Sequence, residues 1–377
     1  MASIAQLNAL GQSIWLDYID RKLLTAGGLQ RLVDRGVTGV TTNPSIFHKA
    51  ITGSADYDAS IRALLEEDPD RSEIDVCEAL MVADVRSAAD VLQPVYERTH
   101  GADGYVSLEV PPDLAFDADA TIAMAHQLRL AVDRPNVMIK VPGTAEGVRA
   151  FEQLMADGIH VNVTLLFAIA RYEAVLEAWA RGLARAQRPE SVASVASFFV
   201  SRVDSKVDKQ LEASIAQGEG AARAVLRNEA QRIKGRIAIA NAQLAYARFQ
   251  ALSSSPPITE LIRRGARPQR PLWASTSTKN PAYRDVLYVE SLIGPNTVNT
   301  VPPETLDAFL HHGEARVTLT AEVDRAHEDF ATLKKLGIDL DQITRELEIE
   351  GVAAFQDSWD KLLAGVKEKC AQVAQTA

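Results

Sequence analysis

The residues best suited to chemistry in this sequence are charged or polar groups at the ends of apolar runs. Lys140 stands inside the strand-like NVMIKVPGTAEG (residues 136–147), Glu109 near the end of YVSLEV (105–110) and Asp17 near the end of SIWLDY (13–18). Desolvation between apolar walls favours the neutral, nucleophilic form of an amine, although neighbouring carboxylates oppose it. A neutral amine attacks a carbonyl carbon to form a Schiff base, and carboxylates such as Glu109 and Asp17 then move protons, directly or through water. Asn43, Thr164 and Ser197, at the ends of other apolar runs, are suited to holding substrate hydroxyls. The chemistry suggested is aldol cleavage or transfer on a hydroxylated carbonyl compound. Taken singly, each residue reads more simply as a satisfied interior polar group, and Lys140 as a surface lysine with its stem along apolar residues. Their recurrence at several strand ends favours a site, because Asp, Glu and Lys are individually uncommon in interiors.

The elements that must position these groups alternate between short β-like and longer helical segments. Strands are expected near 13–18, 36–43, 104–110, 136–141, 159–166, 192–200, 271–277 and 296–301, which suggests a closed parallel barrel of eight. Period 2 places Trp15, Asp17, Tyr105, Ser107, Glu109, Met138, Lys140, His160, Asn162 and Thr164 on the inner face. Val137, Ile139, Val141, Val161, Val163 and Leu165 then face the helices. Prolines 44, 111 and 142 are expected to stop three strands, and the polar members gather at the carboxyl ends, where barrel active sites are built. The segments DADATIAMAHQLRLAV, TAEGVRAFEQLMADG and FAIARYEAVLEAWARGLARA repeat apolar residues at helical spacing. The fold class expected is an α/β (β/α)₈ barrel forming one domain over residues 1–377. It carries about two helices in 44–103, a helical insertion around 205–270, and C-terminal helices over 313–377 broken at GIDLD and EG.

Composition narrows the function. A net charge of −10 argues against nucleic acid or an anionic membrane as a partner, yet local basic groups can still hold a small anion. No run approaches the roughly 18 apolar residues of a membrane span. The stretch MASIAQLNALGQSIWLDYIDRK lacks a basic region followed by an apolar core, so no secretory signal is expected. Only two cysteines, Cys77 and Cys370, occur, which fits free thiols in a reducing cytoplasm.

Five stretches in order, GVTGVTTNPSIF, VSLEV, NVMIKVPGTAEG, VNVTLLF and SFFVSRVD, resemble the transaldolase family, in its longer-chain form within the class I aldolases. The resemblance implies a (β/α)₈ barrel that transfers a dihydroxyacetone unit between sugar phosphates without metal or cofactor. The reaction is sedoheptulose 7-phosphate plus glyceraldehyde 3-phosphate to erythrose 4-phosphate plus fructose 6-phosphate, in the non-oxidative pentose phosphate pathway. By the same resemblance Lys140 on the fourth strand is the Schiff-base nucleophile, and Asp17 is the acid/base for the C4 hydroxyl. Glu109 works through a water that Thr164 helps to position. Asn43, Asn162 and Ser197 bind hydroxyls of the dihydroxyacetone portion, Phe199 lines the substrate pocket, and Arg202 binds phosphate with its planar fork. In WASTSTKN, Ser275 and Lys279 stand where shorter family members have a serine and an arginine for phosphate. Monomer and homodimer are both left open.

The nearest alternative is a fructose-6-phosphate aldolase, which shares the fold and lysine but releases free dihydroxyacetone. That branch is shorter and has a tyrosine where Phe199 stands; an apolar ring cannot orient a hydrolytic water. A non-catalytic barrel used as a binding protein would not need the lysine and both carboxylates. A metal-dependent aldolase or isomerase is disfavoured because the histidines form no ligand pattern: His311 and His312 are adjacent, and HEDF lacks the second histidine of a zinc-binding helix. His160 is expected inside the barrel but below the site. Neither a Walker-type sequence nor GxGxxG occurs, so nucleotide binding has no support.

Overall fold

Eight parallel strands close into a barrel in chain order: β1 Gln12–Leu16, β2 Gly39–Thr41, β3 Tyr105–Glu109, β4 Val137–Pro142, β5 Val161–Leu166, β6 Ser194–Phe199, β7 Arg270–Ala274 and β8 Thr297–Val301. The computed structural model describes residues 3–216 and 221–375. Closure is made by β1 on β8, whose register runs from Gln12 opposite Thr297 to Leu16 opposite Val301. Every expected strand is present. The second is far shorter than 36–43, because Asn43 leaves the sheet to cap the helix Pro44–Thr52. Pro142 is the last residue of its strand rather than the stop before it.

The period-2 pattern holds at the amino end of the barrel. Trp15, Tyr105 and His160 turn inward and meet ring to ring, Trp15 on Tyr105 at 6.4 Å and Tyr105 on His160 at 5.3 Å. Asp103 ties this plug together by accepting from Trp15 Nε1 (2.8 Å) and from the Ser13 hydroxyl, with Arg270 3.6 Å away. Burial pulls the imidazole of His160 down to about 4, and its Nδ1 accepts from the Ala193 amide at 3.0 Å. It is therefore a neutral packing group beneath the site. On β2 the space opposite Trp15 is left by a glycine: a Cβ on Gly39 would lie 2.5 Å from the indole.

One strand breaks the alternation. The pairing of β5 with β6 shifts between Val163 and Leu166, and Leu165 takes a left-handed φ of 61°. Leu165 was expected on the helix-facing side; the bulge instead brings its side chain against Gly351 of the long helix Leu340–Gln375, where a Cβ would come within 3.0 Å of it. This contact also explains why the EG sequence does not break that helix. Glycine is tolerated there at a cost of about 1 kcal/mol because it allows close approach to β5. GIDLD does separate the helices Val323–Lys335 and Leu340–Gln375.

Between the strands, polar caps start the helices. Asp117 accepts from the Ala120 amide to begin Ala118–Val132, and Thr144, just after Pro142 and Gly143, accepts from Gly147 to begin Ala145–Ala156. The 44–103 stretch holds three α-helices, Pro44–Thr52, Asp58–Glu67 and Glu73–Arg98, rather than about two. The insertion expected around 205–270 is made of Ser201–Ala216, Ala221–Ile233, Ile237–Ser253 and Pro256–Arg263; residues 217–220 within it, and chain ends 1–2 and 376–377, lie outside the described residues. Its first helix starts immediately after β6 and so belongs to the barrel wall. Among the described residues no helix is long and apolar enough to cross a membrane.

Replacing Gly39 with alanine is expected to overpack the Trp15 contact by about 1–3 kcal/mol. Urea unfolding followed by far-UV circular dichroism should show a lower midpoint with the native spectrum retained; an unchanged midpoint would show that the indole yields freely.

Candidate active site

Lys140 sits at the level where three neighbouring strands align, its Cα opposite Glu109 on β3 and Asn162 on β5. The side chain is buried, and its Nζ donates to the Thr42 carbonyl at 3.1 Å and to Glu109 Oε2 at 3.4 Å. Overhead is an aromatic ring: Phe355, from the helix Leu340–Gln375, has its centroid 5.6 Å from Nζ. The amine is thus held between a carboxylate, a backbone carbonyl and an apolar cover, with room on one side for a reacting carbon.

That room is a cavity of about 460 Å³ at the carboxyl ends of the strands. Asp17, Asn43, Lys140, Thr164, Ser197, Phe199, Arg202, Ser275 and Lys279 all line it. Glu109 and Asn162 do not. Glu109 stands behind Lys140, within 3.4 Å of its Nζ. Asn162 lies one layer down, accepting from Ser197 Oγ (2.7 Å) and donating to Ser107 Oγ (3.0 Å), so its polar groups already bridge β3 and β6. Ser197 is the member of that chain that meets the cavity.

The two carboxylates have different surroundings. Burial raises Asp17, while a hydrogen bond from Thr41 Oγ1 (2.7 Å) and the charges of Lys140 and Lys279 hold it back. Burial likewise raises Glu109, opposed by the adjacent Lys140 and assisted by Asp17. Both are stronger bases than solvated carboxylates, and both feel the charge of one amine. Thr164 adds a buried hydroxyl with no partner among the described residues. Asn43 spends its Oδ1 on the Ile46 amide and the Ser45 hydroxyl, capping its helix, and its amide NH₂ has no hydrogen bond among the described residues.

The far wall is cationic. The Arg202 guanidinium lies over the Phe199 ring at 5.2 Å, and that ring rests on Phe167 at 5.2 Å. Among the described residues Arg202 has no ion pair and no side-chain hydrogen bond, and burial lowers its basicity. An unpaired, half-buried guanidinium in a protein of net charge −10 marks a place for an anion. Beside it Ser275, in a left-handed turn with φ of 56°, exchanges a hydrogen bond with Ser201 at 2.9 Å between hydroxyl oxygens. Lys279 is exposed and donates to Ser277 at 2.8 Å.

Sequence reasoning missed Thr41, Lys49 and Phe355. Thr41 was legible: it shares the inner face of β2 with Gly39, and period 2 applied to GVT turns it inward. Lys49 lies three residues after Ile46, another cavity residue, on the first helix past β2, and lines the cavity without an ion pair among the described residues. Phe355 had no local signal, since nothing in its own segment tells that the helix crosses the barrel mouth.

Comparison with known proteins finds relatives along nearly the whole chain. The family model described as Transaldolase/Fructose-6-phosphate aldolase matches residues 14–366. Similar proteins include a protein named Transaldolase from Acidothermus cellulolyticus, 48% identical, covering 96% of this chain and 95% of the relative. One of the same name from Frankia alni is 44% identical and another from Trichodesmium erythraeum 41%, each covering 97% of both chains.

Replacing Thr41 with valine removes the hydrogen bond that favours the charged form of Asp17. The Asp17 carboxyl should then titrate higher than in the wild type. Carbon-13 NMR of the carboxyl carbon would follow the shift directly, and a fall would contradict the assignment of Thr41 as donor.

Proposed function

The chain belongs to the transaldolase/fructose-6-phosphate aldolase family, and from that premise we propose how its own residues work as a transaldolase on sugar phosphates. The observation that carries this reading is one cavity with a buried amine, bonded to Glu109 behind it, and the Asp17 carboxyl at one side, and a guanidinium unpaired among the described residues at the other. A covalent anchor for a ketone and an ionic anchor for a phosphate are what a ketose phosphate requires.

Lys140 Nζ attacks the C2 carbonyl of the ketose phosphate, and loss of water from the resulting carbinolamine gives the imine. Glu109, within 3.4 Å of Nζ, takes and returns protons in that step through the departing water. The partnerless hydroxyl of Thr164 holds the water in place. Asp17 then accepts the C4 hydroxyl proton, the C3–C4 bond breaks, and its electron pair flows into the imine to give an enamine. Desolvation, which raises the basicity of Asp17, suits it to this role. The aldose phosphate leaves; an acceptor aldose phosphate enters, and the steps reverse.

Ser197 and the free amide of Asn43 hold the hydroxyls of the dihydroxyacetone portion, with Asn162 orienting Ser197 from below. Arg202 takes the phosphate as a bidentate partner, with Ser275 and Lys279 completing that end. Phe199, packed on Phe167 beneath the guanidinium, supplies no hydroxyl that could aim water at the imine. The covalent dihydroxyacetone intermediate therefore waits for an acceptor, and transfer is favoured over aldolase release. The transfer belongs to the pentose phosphate pathway. We place it in the cytoplasm, a reading supported by the two free cysteines, Cys77 and Cys370.

Fructose 6-phosphate followed by borohydride should leave a dihydroxyacetone adduct on Lys140, read by peptide mapping, and Lys140→Met should lower turnover by roughly three orders of magnitude or more. Glyceraldehyde 3-phosphate release should depend on added erythrose 4-phosphate; release that continues unchanged without acceptor would identify an aldolase instead. Arg202→Ala should raise KM for fructose 6-phosphate about 10- to 100-fold, as expected for charge-assisted hydrogen bonds worth about 1.5–3 kcal/mol, with kcat nearly kept.

A further inference from the structure

The two cations assigned to the phosphate sit on different βα units. Arg202 is on Ser201–Ala216, after β6, and Lys279 is in the segment that follows β7. At their base the units touch through the Ser201 amide on the Ser275 carbonyl (3.0 Å) and the paired hydroxyls of the same residues. Farther out they are clasped by four residues outside the cavity. Asp204 and Asp208 lie one helical turn apart on the Arg202 helix, and both are buried.

Each carboxylate is used in the same way. Asp204 accepts from the Ala238 amide (2.7 Å) with one oxygen and from the Tyr288 hydroxyl (2.9 Å) with the other. Asp208 accepts from the Gly235 amide (2.9 Å) and the Tyr283 hydroxyl (2.5 Å). The fit is close: Gly235 has a φ of +71°, and a Cβ on it would lie 2.6 Å from the Tyr283 ring. Tyr283 is four residues past Lys279, and the path between them is stiff. Asn280 accepts from the Ala282 amide through its side chain (2.9 Å) and from the Tyr283 amide through its carbonyl (3.0 Å), and Pro281 has a fixed φ.

We propose that Tyr283 and Tyr288, through Asp208 and Asp204, are positioning residues for the substrate phosphate: they fix the Lys279 segment against the helix that carries Arg202. The proposal rests on the reading of Arg202 and Lys279 as the phosphate end. Burial and the facing carboxylates push both tyrosine hydroxyls well above their ordinary range, so they remain donors throughout the working pH range. A lysine is a flexible point charge. Anchoring its backbone four residues away confines its reach without occupying its amine.

The test compares wild type with Tyr283→Phe, Tyr288→Phe and the double variant, which keep the rings and remove only the hydroxyls. Three readouts are taken: KM and kcat for fructose 6-phosphate with erythrose 4-phosphate, competitive inhibition by inorganic phosphate, and borohydride trapping of unphosphorylated dihydroxyacetone on Lys140. In the double variant KM and the phosphate inhibition constant should rise together by about 5- to 10-fold, the loss of one or two ordinary hydrogen bonds. The kcat should stay within about twofold and trapping should be unchanged. Asp208→Asn, whose oxygen still accepts from the Gly235 amide while its NH₂ can donate to the Tyr283 oxygen, should hold KM near wild type where Asp208→Leu raises it. A lower melting temperature with KM and phosphate inhibition unchanged would overturn the proposal and leave the clasp purely structural. If Arg202→Ala itself leaves phosphate inhibition unchanged, the phosphate end has been misassigned; if only the tyrosine variants are silent, the positioning claim alone fails.

Discussion

Burial of one ammonium group sets the terms for the rest of this structure. Lys140 is enclosed at the level where β3, β4 and β5 align, and a lone charge in such a place would be several kcal/mol out of balance. Glu109, the Thr42 carbonyl and the field of Asp17 answer that charge. Those partners must in turn be placed. The barrel does so by register, since parallel neighbours with a common level bring one inward residue from each strand to the same height. The polar chain Ser107–Asn162–Ser197 beneath it leaves none of the three buried side chains without a hydrogen bond. The aromatic plug of Trp15, Tyr105 and His160 closes the opposite end, so that the polar chemistry is confined to one mouth.

Much of this was legible because strands obey a short period. Inward residues alternate with helix-facing ones, so Asp17, Glu109, Lys140 and Thr164 could be sorted from their immediate neighbours alone. The rule fails at Leu165, where the bulge on β5 rotates one residue out of sequence with the rest. Nothing in VNVTLLF marks it, and the contact it makes lies far along the chain, at Gly351 of the helix Leu340–Gln375. Phe355 was invisible for the same reason. The EG pair was read as a helix stop, which is what glycine does in isolation; here a tertiary contact overrides the local preference.

The cationic wall was legible in part. SFFVSR locates Arg202 by its position just past β6, but the sequence does not tell which of many basic residues lacks a partner. Elsewhere on the surface arginines are commonly spent on carboxylates, as Arg134 is on Asp90 and Arg284 on Glu290. Arg202 instead rests on an aromatic face, which holds the guanidinium in place without satisfying its donors. That difference between a paired and a stacked arginine separates a structural cation from one kept ready for an anion.

Chain order gives the cover over Lys140 a further meaning. Phe355 follows the last strand, Val301, by more than fifty residues. A ribosome makes the protein from its amino end, so all eight strands emerge before the ring that will shield the amine. A nascent chain that had already closed its sheet would still present Lys140 to water. The apolar cover over the amine is complete only when synthesis has passed the helix that carries Phe355.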